Sequence, residues 1–206
     1  LSDLSPSQDA VFADLVADLA QGLITPVFFG SALNGFGIRR LLKALRHETP
    51  DVVAAAARMG LDGPCTYIFK TSYAGQAGKI AYGRVMQGEL ADGQELTLSG
   101  GDKARAGGLT TFSSPSGKKT DKALEGEVVA IGKLEAAMPG MVASMDGKAR
   151  SLAQPAFPPA TLYSMSISAK DRKDDVRLSA ALNKLAEEDP AIVIAQDPTT
   201  QETIVS

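Results

Sequence analysis

The sequence predicts a multidomain protein of α and β class, built from three successive parts. The first alternates helix, strand and helix patterns, the second has short runs rich in Val, Ile, Thr and Tyr between glycines, and the third reads β-α-β-β. These patterns predict an α/β segment, a small closed β-barrel and a partial ferredoxin-like βαββ unit. The predicted bounds are 1–48 for the α/β part, 49–62 for a helical linker, 63–150 for the barrel, 151–159 for a proline-rich linker and 160–206 for the third part.

The α/β part begins with Ser5-Pro6-Ser7-Gln8, a capping box that places Ser5 at the N-cap of the first helix. Gly22 is a natural stop for that helix. A strand is then predicted at 24–29 and a helix at about 35–47, with an apolar face formed by Ile38, Leu41, Leu42 and Leu45. Thr49-Pro50 is expected to cap a short alanine-rich helix that ends near Arg58.

The barrel is predicted from its short β-rich runs, which are separated by Gly, Asp and Ser. Residues 113–122 have the composition of a polar hairpin loop, and Cys65 is expected to be a small buried hydrophobe. The strands are expected at 65–72, 79–87, 94–98, 104–112, 127–134 and 141–145.

The third part begins with an alternating strand at 163–167, in which apolar residues are separated by serines. A helix is predicted at 171–188, followed by a hairpin of 192–196 and 202–205. The apolar positions of this helix are predicted to face inward; they are Leu178, Ala181, Leu182 and Leu185. A truncated ferredoxin-like unit would leave an open strand edge, so self-association through this part is expected.

Composition excludes several classes of function. The chain has 206 residues, a net charge of −3, one Cys and one His, so it can form neither an internal disulfide nor an ordinary zinc site. A lone cysteine and the lack of a long apolar run fit a cytoplasmic protein that does not cross a membrane. The first residue is not Met and the last residues have the pattern of an unfinished strand, which predicts a piece of a longer protein.

The stretch PVFFGSALNGFGIRRLLKAL, residues 26–45, has the strand, glycine turn and helix order of a nucleotide site. A phosphate-binding loop would need GxxxxGK followed by Ser or Thr, and no Lys follows these glycines. On spacing alone, an ordinary strand-to-helix turn is favoured.

The order of three segments resembles the elongation factor G family. The Gly30-Ser31-Ala32 turn is similar to the last motif of its GTPase domain, and YIFKTSYAGQAGKIAYGRVMQGELADGQEL resembles the opening of its barrel domain. The string LAEEDP, residues 185–190, resembles the helix end in its third domain. Arg84-Val85-Met86-Gln87-Gly88 departs from the Arg-Val-Tyr-Ser-Gly of many members, which leaves open whether the chain is a translocase, a recycling-type factor or a ribosome-protection-type paralogue.

The resemblance implies that residues 1–48 are the remnant of a GTPase domain. Ser31, Ala32 and Leu33 would then contact the guanine base in the full-length protein, which would use GTP and Mg²⁺. The phosphate- and Mg²⁺-binding motifs are absent from the 206 residues, so the chain by itself is expected not to be an enzyme and to need no cofactor. The implied partner is the ribosome, through rRNA and small-subunit proteins.

Five basic residues of the barrel are candidates for contact with rRNA, because Lys and Arg on barrel loops can bind phosphates without reading sequence. They are Lys103, Arg105, Lys118, Lys119 and Lys122. For each taken singly, a solvated loop charge is the favoured interpretation. Residues 63–150 nevertheless contain eleven basic and nine acidic side chains, which makes the barrel the basic part of the chain.

Glu187, Glu188 and Asp189 end the third-part helix, where the helix dipole disfavours negative charge. Either a nearby cationic group or simple solvation would explain them. Lys184 and Arg177 are candidates within the chain, and a basic ribosomal surface is a candidate outside it.

An alternative function is a free-standing β-barrel binding module on an α/β adaptor, unrelated to translation. Such barrels bind nucleic acid through aromatic stacking platforms, but only 5% of this chain is aromatic and it has no Trp. An enzyme that works through a metal or a nucleophile is disfavoured by the shortage of His and Cys.

Overall fold

The computed structural model describes residues 7–74, 78–112, 117–153 and 160–206. The chain divides into two compact units, Leu1–Ala54 and Ala55–Ser206. In these described ranges, no helix is both long enough and apolar enough to cross a lipid bilayer.

The first unit contains helices α1 (Gln8–Ala20) and α2 (Ile38–His47). The N-cap of α1 is Ser7, whose hydroxyl accepts the Ala10 N–H at 3.2 Å, because a short oxygen side chain satisfies a free amide of the first turn. The predicted cap Ser5 lies outside the described residues. Gly22 follows the C-cap with φ +73°, the left-handed conformation expected of a helix stop.

The predicted strand at 24–29 is wrong for the described residues. This segment pairs with no strand there, and the nearest β contact is a single bridge between Ser31 and Phe36. An apolar run needs a hydrogen-bonded neighbour to become a strand, and without one Phe29 is 83% exposed. The predicted apolar face of α2 is half-exposed at Leu41, Leu42 and Leu45, whereas Ala44 is buried.

The start of α2 is later than the predicted residue 35. Gly35 and Gly37 have φ values of +67° and +76°, which no α-helical residue adopts, so the helix begins at Ile38. The next helix, α3 (Val52–Arg58), is capped by Asp51, whose carboxylate accepts the Ala54 N–H at 2.8 Å, rather than by the predicted Thr49. The Thr49 hydroxyl instead donates to the Leu45 carbonyl.

In the described ranges, ten strands form the barrel of the second unit. An eight-stranded sheet has the order β5-β4-β10-β1-β2-β9-β6-β7, and β3 pairs separately with β8. The strands are β1 Cys65–Tyr73, β2 Lys79–Gln87, β3 Glu89–Ala91, β4 Glu95–Leu98, β5 Lys103–Arg105, β6 Gly107–Thr111, β7 Lys118–Lys119, β8 Lys122–Leu124, β9 Val128–Gly132 and β10 Val142–Ser144.

The sheet closes because one stretch of chain forms β5, at one edge of the sheet, and β6, next to the strand at the other edge. Ala106 exchanges backbone hydrogen bonds with Gly93 and Gln94, which extends the β4–β5 pairing, and β6 begins one residue later and pairs with β9. The predicted single strand at 104–112 is therefore two strands, β5 and β6. Within β6, the register against β9 shifts between Gly107 and Thr110. The predicted loop at 113–122 contains β7 and the start of β8, while residues 113–116 lie outside the described residues.

The barrel interior is aliphatic. Cys65 is fully buried, as expected, and burial raises the pKa of its thiol to about 11. The core side chains include Ile68, Val85, Leu90, Leu96, Leu98, Leu109, Val129, Ile131 and Leu134.

Arg150 joins the two ends of the barrel segment. Its guanidinium donates to both carboxylate oxygens of Asp146, at 2.6 and 2.8 Å, and to the backbone oxygen of Asp62. These hydrogen bonds hold the pKa of Asp146 well below its usual range, mainly because the charged form accepts from Arg150. Arg150 thus connects the segment that precedes the barrel with the segment that follows it.

The third part of the chain has the strand order of a ferredoxin-like unit. Its strands are β11 (Met165–Ile167), β12 (Ile194–Gln196) and β13 (Thr203–Val205), and β13 lies between the other two with antiparallel pairing. Helix α4 spans Asp175–Glu188 after a 3₁₀ turn at 172–174, so the α-helix starts later than the predicted residue 171.

The α4 face that was predicted to point inward is only partly covered. Leu182 is buried, whereas Leu185 is exposed, and Tyr163 and Met165 on the β11 side also keep most of their surface in contact with solvent. The predicted linker residues 154–159 lie outside the described residues. The β-α-β-β order nevertheless holds, and it confirms the predicted fold class of this part.

Candidate functional site

Two of the five candidate basic residues lie on β5, where the barrel exposes them. Lys103 forms an ion pair with Glu95 at 2.9 Å, across the β4–β5 pairing. The Arg105 guanidinium donates through Nε to the Gly93 carbonyl at 2.6 Å, and the residue remains exposed. Lys103 therefore has a local counter-charge, whereas the contact of Arg105 is with a neutral oxygen.

The other three candidates lie on β7 and β8. Lys118 and Lys119 are adjacent and exposed, and they pair with Thr111 and Thr110 of β6. Lys122 forms an ion pair with Glu89 at 3.1 Å. In the described ranges, no carboxylate lies within ion-pair distance of Lys118 or Lys119.

The structure therefore separates the five candidates into two groups. Lys103 and Lys122 are each neutralised by a neighbouring glutamate on an exposed surface, where such pairs are weak but still compete with an external anion. In the described ranges, no carboxylate lies within ion-pair distance of Arg105, Lys118 or Lys119, so these three side chains can pair with an external phosphate. This division depends on cross-strand register, which the linear sequence does not display.

The turn at residues 30–37 has a geometry that only glycine permits. A Cβ atom on Gly30 would lie 2.7 Å from the Phe36 carbonyl oxygen, closer than real Cβ contacts. The turn is held by the Ser31 N–H, which donates to Phe36 O at 2.9 Å, and by the Gly35 N–H, which donates to Ala32 O at 3.3 Å.

The three residues predicted to contact a guanine base differ in what they offer. The Ser31 amide is already used inside the turn. Within the described part of the chain, the amides of Ala32 and Leu33 donate to no other group, and the Leu33 side chain is completely exposed. Two adjacent free amides at a turn can donate to a base oxygen, which is what the predicted guanine contact would require.

One cluster was not identified from the sequence as a site, and it joins the barrel to α4. Lys79, at the start of β2, is 1% exposed, and its ammonium donates to Glu187 Oε2 at 2.8 Å and to the Glu135 carbonyl at 3.0 Å. Tyr73, paired with Lys79 across β1 and β2, donates its hydroxyl to the same Glu187 oxygen at 2.5 Å. The open question about the acids of LAEEDP is thus answered for Glu187, whose cationic partner is Lys79.

The electrostatics of the cluster follow from these contacts. The hydrogen bond from Lys79 is the main cause that lowers the pKa of Glu187, and the bond from Tyr73 adds to it. The same bond to Glu187 raises the pKa of Tyr73 to about 12. The signal available in the sequence was the run of acids at a helix C-terminus, which indicates a cationic partner without naming it.

Two family sequence models match the second unit in the order in which the barrel and the βαββ unit occur. "Elongation factor G domain 2" matches residues 64–143, and "Elongation Factor G, domain III" matches residues 157–206. The chain belongs to the elongation factor G family. The barrel and the ferredoxin-like unit are thus elongation factor G domains II and III, and the chain consists in part of translation factor domains.

Two bacterial proteins of this family are similar to the chain over most of its length. An "Elongation factor G-like protein" from Synechocystis is 35% identical over 211 residues, which cover 100% of this chain and 30% of that protein. One from Thermotoga maritima is 29% identical over 201 residues, which cover 90% of this chain and 29% of that protein. The chain therefore spans about a third or less of the length of these elongation factor G relatives.

A crystal structure of a protein from Thermus thermophilus has the same fold. It superimposes with a TM-score of 0.72 at 25% sequence identity, over 97% of this chain and 30% of the other. The similarity extends beyond the residues matched by the two family models, into the first unit.

Proposed function

We propose that this chain is the portion of an elongation factor G-like GTPase that docks on the ribosome through its barrel. In the full-length protein, docking would be coupled to GTP hydrolysis and to translocation or a related ribosomal step. The observation that supports this proposal is the group of free cations, Arg105, Lys118 and Lys119, on a barrel of the elongation factor G type. The proposed domain bounds remain 1–48, 63–150 and 160–206, joined by linkers.

Phosphate binding gives these cations their proposed role. Binding to rRNA is dominated by ion pairs with phosphates and by the release of counterions, and it requires no sequence reading by the protein. Lys118 and Lys119 would contribute most, since they are adjacent and exposed. Lys103 and Lys122 would contribute less, because each must first leave Glu95 or Glu89.

A comparison of two double variants tests this assignment. Lys118→Ala with Lys119→Ala is expected to weaken binding to the small ribosomal subunit about tenfold at low salt. The slope of log affinity against log salt should also fall by about 1.4–1.8, or 0.7–0.9 per lost phosphate contact. Filter binding over a salt series measures both quantities.

Lys103→Ala with Lys122→Ala is the matched control, because it removes the same number of positive charges from the same barrel. We expect this variant to retain affinity within about twofold and to keep its salt slope. Equal losses in both variants would mean that net charge alone governs binding, and the assignment to Lys118 and Lys119 would then be wrong.

The turn at 31–33 is proposed to hold the guanine base of GTP in the full-length protein. The free amides of Ala32 and Leu33 fit a base oxygen, and Ser31 holds the turn in shape. The 206 residues contain no GxxxxGK[ST] motif, so the phosphates and Mg²⁺ would be bound by other parts of the full-length protein. When bound there, the nucleotide and its metal would supply the hydrolytic chemistry, and this chain would position the base.

The isolated chain is therefore expected not to bind guanine nucleotide tightly, because most of the binding free energy of a nucleotide comes from its phosphates and Mg²⁺. Calorimetric titration with GTP and Mg²⁺ should show no dissociation constant at or below the low micromolar range. ATP is the control ligand, since its base lacks the oxygen of guanine. Low-micromolar binding of GTP but not of ATP would contradict the proposal that this chain contributes only a base contact.

A further inference from the structure

The C-terminal turn of α4 is electrostatically unfavourable by itself. It carries Glu187 and Glu188, Asp189 is its C-cap, and no basic residue lies in the last turn. Negative charge at this end opposes the helix dipole. Lys184, one turn earlier, lies 5.1 Å from the centre of the Tyr73 ring on the barrel. A cation supplied from outside the third domain would therefore stabilise this end of the helix.

On the barrel side of this contact, Lys79 places a positive charge in a buried position. Its side chain is 2% exposed, and a buried ammonium is stable only when it is paired and fully hydrogen-bonded. The Glu135 carbonyl supplies one neutral acceptor, and Glu187 supplies the only carboxylate within ion-pair distance in the described part of the chain. Glu187 thus compensates the buried charge of Lys79, and Lys79 compensates negative charge at the end of α4.

Three further contacts fix the geometry between the two domains. The Thr71 hydroxyl donates to the Glu187 carbonyl at 2.7 Å, which satisfies one of the free carbonyls at the helix end. The backbone N–H of Tyr73 donates to Glu188 Oε1 at 2.5 Å, and the Tyr73 hydroxyl donates to Glu187. All of these barrel groups lie at one end of the β1–β2 pair, so they act on a single turn of α4.

We propose that Lys79, Thr71 and Tyr73 of the barrel, together with Glu187 and Glu188 of α4, form an ionic latch that docks the third domain on the barrel. When the latch is broken, the third domain leaves the barrel as an intact unit, because the latch residues are not part of the three-stranded sheet β11-β13-β12. The proposal does not depend on ribosome binding.

The pH dependence of the latch has a definite sign. The pKa of Glu187 is lowered from its ordinary value of 4.5, so its contribution to docking is present above pH 4.5 and is lost as pH falls through the lowered pKa. The pKa of Tyr73 is raised from 10 to about 12, so its contribution is present below pH 10 and is lost as pH rises toward 12. Besides Glu188, which belongs to the latch, the charged groups that face Tyr73 and Glu187 are Glu135 and Lys184. Docking should therefore be constant between about pH 5 and pH 10 and should weaken outside that window.

Pulsed electron paramagnetic resonance of the full chain tests the latch directly. Spin labels are attached at Lys148→Cys on the barrel and Thr199→Cys on the third domain, which are both exposed positions. The native Cys65 is buried and its thiol pKa is raised to about 11, so it should not take up label under ordinary conditions. We expect one narrow distance distribution at pH 7.

In the Glu187→Gln variant, we expect the population outside this narrow distribution to rise about tenfold or more, because a charge-assisted hydrogen bond to a buried cation is lost. Lys79→Met should have a similar effect. The double variant should be less undocked than the product of the two single effects predicts, since both substitutions break the same bond. Glu187→Gln replaces a partly exposed side chain outside the barrel core, so it tests the proposal even if Lys79→Met fails to fold.

Asp174→Asn is the matched control, because it breaks an exposed ion pair with Arg177 that lies wholly within the third domain. It should leave the distance distribution unchanged. Distributions as narrow in Glu187→Gln as in the unmodified chain would overturn the latch, and so would equal broadening in Asp174→Asn.

Discussion

Replacement of Leu96 by alanine is expected to lower the free energy of barrel unfolding by about 3 kcal/mol. Leu96 lies on β4, has no exposed surface and belongs to the barrel core. Truncation removes buried methyl groups and leaves a cavity that a closed barrel cannot readily collapse, because both neighbours of β4 are fixed by pairing. A loss of this size is a large share of the stability of a small domain.

The control for this prediction is Leu124→Ala, which removes the same atoms from a side chain that is 49% exposed on β8. Its cost should be below about 1 kcal/mol. Hydrogen exchange of the β2 and β9 amides, followed under native conditions, measures both changes. If the two variants had equal effects, β4 would not form part of a single closed core.

The barrel was predictable from sequence because its information is local. Short runs rich in Val, Ile, Thr and Tyr between frequent glycines mark β1, β2 and β9 within a few residues of their observed bounds, and Cys65 is buried as its residue type predicts. The division of 104–112 into β5 and β6 was missed, because a strand that bends to pair on two sides keeps the same alternation.

The first unit shows the opposite case. Val27 and Phe29 have the pattern of a buried strand, and Leu42 and Leu45 have that of a buried helix face, yet all four are exposed in the described residues. Amphipathic patterns report the surface that a segment would bury and contain no information on whether the covering element is present. The pattern and the exposure together are compatible with the proposal that residues 1–48 belong to a larger GTPase domain.

The candidate site was predictable in residue type and not in pairing. The basic residues of the barrel and the acids of LAEEDP were recognised from sequence, but Lys79 is more than a hundred residues from Glu187, and only the fold brings them together. The ion pairs of Lys103 and Lys122 likewise depend on which residues face each other across neighbouring strands. Whether a basic residue is neutralised thus depends on which residues, distant in sequence, the strand register places beside it.

Binding of the unmodified chain to isolated ribosomal subunits should depend strongly on salt. Three phosphate contacts, one each for Arg105, Lys118 and Lys119, predict a fall in affinity of about 20- to 40-fold between 50 and 200 mM monovalent salt. In our proposal, the barrel docks on the small subunit. That subunit should therefore bind the chain more tightly than the large subunit does at each salt concentration.

The most direct test of the central claim is therefore the affinity of the chain for small and large ribosomal subunits, measured by sedimentation across this salt range. We expect a clear preference for the small subunit and a slope of log affinity against log salt between about −2 and −3. Equal binding to both subunits, or no binding to either at 50 mM salt, would contradict the claim that this barrel is a ribosome-docking domain.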